Sequence, residues 1–336
     1  MRRVGVLEGA SGRRRTRSTS RLTRRSSTAV LTCIAGFVAL TALVGCGSTG
    51  QPRAASALDD DAITIGSFNF SESEVLAQIY GQALEARGFT VRFEPGRGPR
   101  ELLFPALEQG VVEFLPEYAG TALQFVSLGS VAPSSDPAIT HRALQQALAD
   151  RPAGGEVEAL DAAPAENANR FVVTAETAAR HGLEKVSDLQ PIADTLRFGG
   201  SAECPNRPFC LDGLRRTYQV TFQQVLTLDA GGPRTRAALQ GGYVDVGVLF
   251  STDPALDAGA CVTLVDDRTL EPAENITPLL RREVLQRWGE PLRSTLDGVS
   301  SQLTTAELRG LNAQVAEGGA DPAAVAGAWL AAKGLR

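Results

Sequence analysis

The side chains with most to offer chemically cluster in three short stretches. "EFLPEYAGT" (113–121) ends an apolar, strand-like run with Glu117 and Tyr118, then sets Gly120 and Thr121 at a helix start. An aromatic ring with a polar tip, a glycine that lets a ligand approach the backbone and a hydroxyl beside free helix N–H groups, where a carboxylate can sit, are parts of a small-molecule site. "GSFNFSESE" (66–74) adds Phe68 and Asn69, and "FSTDP" (250–254) adds Phe250 and Ser251. The parts of an enzyme are missing. Neither histidine, His141 or His181, lies near a strand-end turn bearing a serine, and there is no G-x-S-x-G. Glu113 and Glu117 could pair as glycosidase carboxylates, but Trp288 and Trp329 fall in helical C-terminal segments instead of offering a sugar a stacking face. "GSFNFSES" lacks the glycines of a phosphate-binding loop, and nothing calls for a cofactor or a metal.

The elements that must position these turns read as an alternation of strands and helices. "AITIGS" (62–67) is a buried strand. Ser71 and Glu74 form a capping-box pattern ahead of a helix with Val75, Leu76, Ile79 and Ala83 on one face. "TVRFE" is the next strand, "GPRELLFPALEQG" a helix, and "VVEFL" the strand that ends at the tyrosine. Asp136-Pro137 and Asp321-Pro322 read as N-caps with proline at the first helical position, and Thr304 with Glu307 as a capping box. "RFVVT", "LRFGG", "YVDVGVLF", "CVTLVDD" and "NITPLL" complete the strands. This order predicts an α/β protein with mostly parallel sheets, whose ligands bind beyond the carboxyl ends of the strands. All three turns fall there. Each residue also has a plainer reading: Tyr118 as interlobe packing, Phe250 as core, Asn69 as a turn residue, Glu117 as a solvated or capping group, and Arg207 as a surface partner of Glu203 or Asp212.

The chain has 336 residues, 43% of them apolar and 21% charged, enough for two ordinary domains. Nine arginines and one acid, Glu8, fall in residues 1–45, which leaves 24 bases against 37 acids, a net charge of −13, on the rest. Such an acidic body argues against nucleic acid as a partner. The basic start leads into the apolar run "TAVLTCIAGFVALTALV" (28–44) and then "LVGC". That order makes residues 1–45 a secretory signal peptide. "LVGC", a leucine three before a cysteine with small residues between, resembles the bacterial lipobox, which implies Cys46 as a lipidated new N-terminus, with a plain membrane-anchor helix as the alternative. Residues 46–61 read as a flexible tether. In an exported chain, Cys204 and Cys210 in "CPNRPFC" are placed to form a disulfide. Cys261 is left over as a small buried apolar residue.

Taken in order, "ITIGSFNFSESEVLAQIYGQALEARGF", "LFPALEQGVVEFLPEYAGTAL", "GLRRTY", "VDVGVLFSTDP" and "PAENITPLLRREVL" resemble the substrate-binding lipoproteins of osmoprotectant ABC importers, the glycine betaine, carnitine and choline group. The resemblance spans about residues 62–335. It implies a two-lobed periplasmic-binding-protein-like fold of type II with two crossovers, lobe one being 62–165 plus 252–336 and lobe two 166–251. It also implies lipid anchoring on the outer face of the cell membrane, a permease with its ATPase as partner, and a quaternary amine as ligand. Such ligands are held among aromatic rings by cation–π attraction, roughly 0.5–2 kcal/mol per ring. By the family's pattern Tyr118 is a cage ring, Phe250 completes the cage, and Thr121 and Arg207 meet the ligand's carboxylate. Phe68 stands where the family often has lysine, and Asn169 and Leu211 stand where two further cage tyrosines fall. Phe68, Phe171 and Phe209 are near enough in sequence to substitute.

Overall fold

The computed structural model describes residues 61–336 apart from 152–155, 258, 260, 317 and 318. Residues 1–60, which hold the expected signal peptide, Cys46 and tether, lie outside the described residues.

The chain builds a first lobe from β1 (Ala62–Gly66), α1 (Ser71–Glu85), β2 (Thr90–Glu94), α2 (Arg100–Glu108), β3 (Phe114–Tyr118), α3 (Ala119–Val126), α4 (Pro137–Ala149) and β4 (Val157–Ala159). It crosses to a second lobe of β5 (Asn169–Thr174), α5 (Ala175–His181), β6 (Arg197–Gly200), the single turn α6 (Leu211–Gly213), β7 (Gln224–Thr227), α7 (Pro233–Gln240), β8 (Val246–Phe250) and β9 (Cys261–Thr263). It then returns to the first lobe as β10 (Ile276–Arg281), α8 (Arg282–Gln302), α9 (Thr305–Ala316) and α10 (Pro322–Lys333). The first sheet has the order β2-β1-β3-β10-β4 and the second β7-β6-β8-β5-β9.

The α/β class and two-lobed architecture are borne out, with two corrections. Each sheet is mixed, because β10 runs antiparallel to both β3 and β4, and β5 antiparallel to both β8 and β9. In each sheet the antiparallel member is the strand that arrives from the other lobe; hydropathy marks a buried strand without marking its direction. The boundary expected at 251/252 also shifts. β9 covers the edge of β5 that β8 leaves free, so the return crossing lies between β9 and β10. The two crossing segments pair with each other: Glu166 bridges Asn275, and Asn167 N–H donates to the Glu274 carbonyl at 3.0 Å.

Strand alternation sorts the second lobe's core. On β5, Phe171 and Val173 join Val246, Val248 and Phe198 on one face, while Val172 joins Leu239, Leu249 and Cys261 on the other. In the first lobe α1 buries Val75, Leu76, Ile79 and Ala83 against the sheet, as its period predicts. Asp136 caps α4 through Ile139 N–H, and Thr304 and Glu307 close their capping box. The box expected at Ser71 does not form. Phe70, in extended conformation, is the cap residue of α1, and Ser73 Oγ instead accepts from Phe68 N–H at 2.9 Å.

Candidate functional site

A cavity of about 660 Å³ opens where the strand-end turns of the two sheets meet. Its aromatic content is denser than the sequence suggests. Phe68 and Phe70 stack with centroids 6.0 Å apart, Tyr118 lies 6.4 Å from Phe68 and 6.0 Å from Phe70, and Phe250 lies 5.5 Å from Phe70. Phe70 is therefore the ring between Tyr118 and Phe250, and sequence reasoning passed over it. The signal was available: in extended chain, residues two apart point the same way, so "FNF" presents both phenylalanines on one side.

Three buried carboxylates stand behind these rings. Glu72 is fully enclosed and accepts hydrogen bonds from Tyr118 Oη at 2.9 Å, Asn167 Nδ2, Thr252 Oγ1 and Asn312 Nδ2. These donors come from β3, the outgoing crossing, the segment after β8, and α9. Burial raises the Glu72 carboxyl above its usual range, and its four hydrogen bonds oppose the shift. Burial, followed by the charge of Glu72, pushes the Tyr118 phenol up, so it stays a donor. Glu117 forms a bidentate pair with Arg100, both contacts 2.7 Å, with side-chain exposures of 0% and 9%. The Arg100 guanidinium also lies 5.2 Å from the centroid of Phe68. Glu117, expected as a solvated or capping group, is thus the buried half of an ion pair.

The third acid is Glu274. Its carboxylate takes the Thr121 N–H at 3.0 Å and the Thr121 hydroxyl, sealing the N-terminus of α3. Burial pushes it up to about 7, against the pull of the Thr121 hydrogen bonds and of Arg100. The room for this comes from Gly120. A Cβ there would lie 2.6 Å from Pro272 Cγ and 2.8 Å from the Ala273 carbonyl oxygen. The space expected to admit a ligand instead admits the chain that carries Glu274.

Of the residues singled out by sequence, Phe68, Asn69, Tyr118, Thr121, Asn169, Arg207 and Phe250 line this one cavity. Asn169 donates to the Phe209 carbonyl at 2.8 Å and pairs with Phe250 across β5 and β8. Arg207 reaches across the mouth to Glu101 on α2 at 2.9 Å, not to Glu203 or Asp212. Phe209 lines the cavity too, on the loop closed by the Cys204–Cys210 disulfide, whose Cα atoms are 5.3 Å apart. Leu211 packs against the second lobe's core, and Phe171 is buried within it. Ser251 serves the crossing, accepting from Ala168 N–H and donating to the Glu166 carbonyl. Cys261 is free and buried, as expected.

Two α/β lobes joined by paired crossings, with a polar and aromatic cleft between them, define a solute-binding protein of type II architecture. A profile described as the substrate-binding domain of ABC-type glycine betaine transport systems matches residues 61–332, and the chain belongs to that family. It is a transport protein of the extracytoplasmic side and not an enzyme. The glycine-betaine-binding protein of Pseudomonas aeruginosa is 28% identical over 273 residues, 78% of this chain and 85% of the relative. A carnitine transport binding protein of Listeria monocytogenes is 25% identical over 260 residues, 75% of this chain and 80% of the relative. A solved structure titled glycine betaine/carnitine/choline ABC transporter superposes with a TM-score of 0.65 at 26% identity, over 81% of this chain and 99% of its own. Among the described residues no helix is long and apolar enough to cross a membrane.

Proposed function

We propose that the protein captures a small quaternary-ammonium compound in the cleft between its lobes and delivers it to an ABC permease. The observation that carries this reading is the run of four rings around one cavity, Phe68, Phe70 and Tyr118 from the first lobe and Phe250 from the second. A methylated ammonium head is too weakly hydrated to need hydrogen-bond acceptors and is attracted by ring faces, so a pocket rich in rings selects it. Asn69, Asn169 and Phe209 border the same space and complete the proposed contact set.

The test is a thermal-shift and calorimetric screen of the protein against glycine betaine, carnitine, choline, ectoine, proline, sugars and aromatic compounds. A ligand that binds the native state raises the melting temperature with the logarithm of its concentration over Kd. The reading expects shifts from quaternary amines and none from sugars; a shift from sugars alone overturns it. Residues 1–45 act as the signal, and the lipid on Cys46, through the 46–61 tether, holds the body to the membrane. The "LVGC" motif after the apolar run supports this. Cys46→Ser should release the protein or leave an uncleaved precursor; normal processing with unchanged membrane retention counts against the anchor.

A further inference from the structure

Both groups expected to greet a ligand's carboxylate are already engaged by the protein's own acids. Arg207 holds Glu101, and Thr121 holds Glu274. The two engagements differ in kind. The Arg207–Glu101 pair lies at the cleft mouth with half of the Glu101 side chain exposed, and such pairs open at little cost. In the Glu274–Thr121 contact Glu274 is buried and Thr121 half-buried; it rests on backbone as well as side chain, and is locked in place by the close approach of Pro272 and Ala273 to Gly120. The anion seat at the start of α3 is filled by a carboxylate tethered to the fold.

We propose that Glu274 sets the charge class of the ligand: the cleft takes a quaternary ammonium that carries a hydroxyl or no second polar group, and disfavours one that carries a carboxylate beside the ammonium. This rests on the quaternary-ammonium reading above. In glycine betaine the carboxylate is one carbon from the nitrogen, so a head seated on Tyr118 and Phe68 would bring that carboxylate towards Glu274. Choline puts a hydroxyl oxygen at the same separation from the nitrogen as the carboxylate oxygens of glycine betaine, and a hydroxyl donates to a carboxylate where a second carboxylate is repelled. The charged groups facing Glu274 do not reverse this. Arg100 on α2 attracts it but is committed to Glu117 on β3, and Glu117 adds negative charge; on its own segment Glu271 is buried, and burial followed by the charge of Glu274 pushes its carboxyl well up, towards the neutral form. α3 contributes Thr121, which does not titrate.

The experiment is calorimetry of the full chain in detergent with choline and glycine betaine at pH 6 and pH 8, for the native protein and Glu274→Gln. Glutamine keeps an oxygen to accept from Thr121 N–H, removes the charge, and replaces the acceptor of the Thr121 hydroxyl with an NH2 that donates to it. At pH 8 the native protein should bind choline at least roughly ten-fold more tightly than glycine betaine, about the effect of one short-range charge contact in a partly desolvated site. Its choline affinity should rise from pH 6 to pH 8 as Glu274 ionises. The variant should bring the two ligands to within about three-fold and lose the pH response. Equal or tighter binding of glycine betaine by the native protein, or an unchanged ligand ratio in the variant, overturns the role of Glu274 while leaving the quaternary-ammonium reading intact. Binding of neither compound by the native protein overturns that reading and this inference with it. Should the variant fail to fold, the native selectivity and its pH response still decide.

Discussion

The two walls of the cleft are built on different principles. On the first-lobe wall three of the groups facing the cavity are backed by buried acids: Tyr118 by Glu72, the Phe68 face by the Arg100–Glu117 pair, and Thr121 by Glu274. The second-lobe wall offers Asn169, Arg207, Phe209 and Phe250, all half-buried, held by a surface ion pair, a carbonyl contact and a disulfide loop. A wall fixed by buried, hydrogen-bonded acids is set before a ligand arrives, and preorganised contacts give more affinity per contact because less is ordered on binding. A wall with an exposed ion pair at its mouth can adjust there to the ligand's far end. The difference explains why the first wall is the place to look for ligand class.

The largest expected effect sets one wall's ion pair against the other's. Arg100→Met leaves Glu117 buried without its cation, and removing one partner of a buried pair costs about 3–5 kcal/mol. Glu101→Gln breaks the pair at the mouth and should cost less than about 1 kcal/mol. Urea unfolding of both variants measures the contrast directly. Equal losses would mean that the two walls are held alike.

Next in size is the disulfide. Cys204→Ser with Cys210→Ser opens a loop of about seven residues, for which chain entropy predicts a loss of about 2 kcal/mol. That would make it the strongest single restraint on the second wall. Thermal unfolding of this variant beside the native protein checks it. A change too small to resolve would mean that the packing of Cys204 and Cys210 in the second lobe's core holds the loop without the bond.

The same contrast marks what the sequence makes legible. Signals that act within a few residues are readable: the caps at Asp136 and Thr304, the apolar stripe of α1, and the short step between Cys204 and Cys210. Tyr118, Thr121 and Phe250 could be placed near a ligand because strand ends are where α/β sheets expose side chains. The acids behind them could not. Glu274 meets Thr121 across 153 positions, Glu72 meets Asn312 across 240, and Arg207 meets Glu101 across 106. No local pattern encodes such a partner, so Thr121 reads as free for a ligand when it is not. Leu211 stands where the family places a cage tyrosine, but it sits on a single turn packed against the second lobe's core.

The smallest effect bears on how the first wall works. Tyr118 has two functions in the structure, a ring face turned to Phe68 and Phe70 and a hydroxyl donated to Glu72. Tyr118→Ala removes both and should weaken choline binding by about 1–2 kcal/mol, roughly ten-fold. Tyr118→Phe keeps the ring and removes one of four donors to a buried carboxylate, which should lower stability by about 1 kcal/mol and leave affinity nearly unchanged. Calorimetry and urea unfolding on the same two variants separate the functions. If Tyr118→Phe weakens choline as much as Tyr118→Ala, the hydrogen bond to Glu72 is what aims the ring, and the buried acids act on the ligand through orientation. If neither variant changes affinity, Tyr118 is a packing residue, and capture of the ammonium falls to Phe70 and Phe250, where the two walls meet.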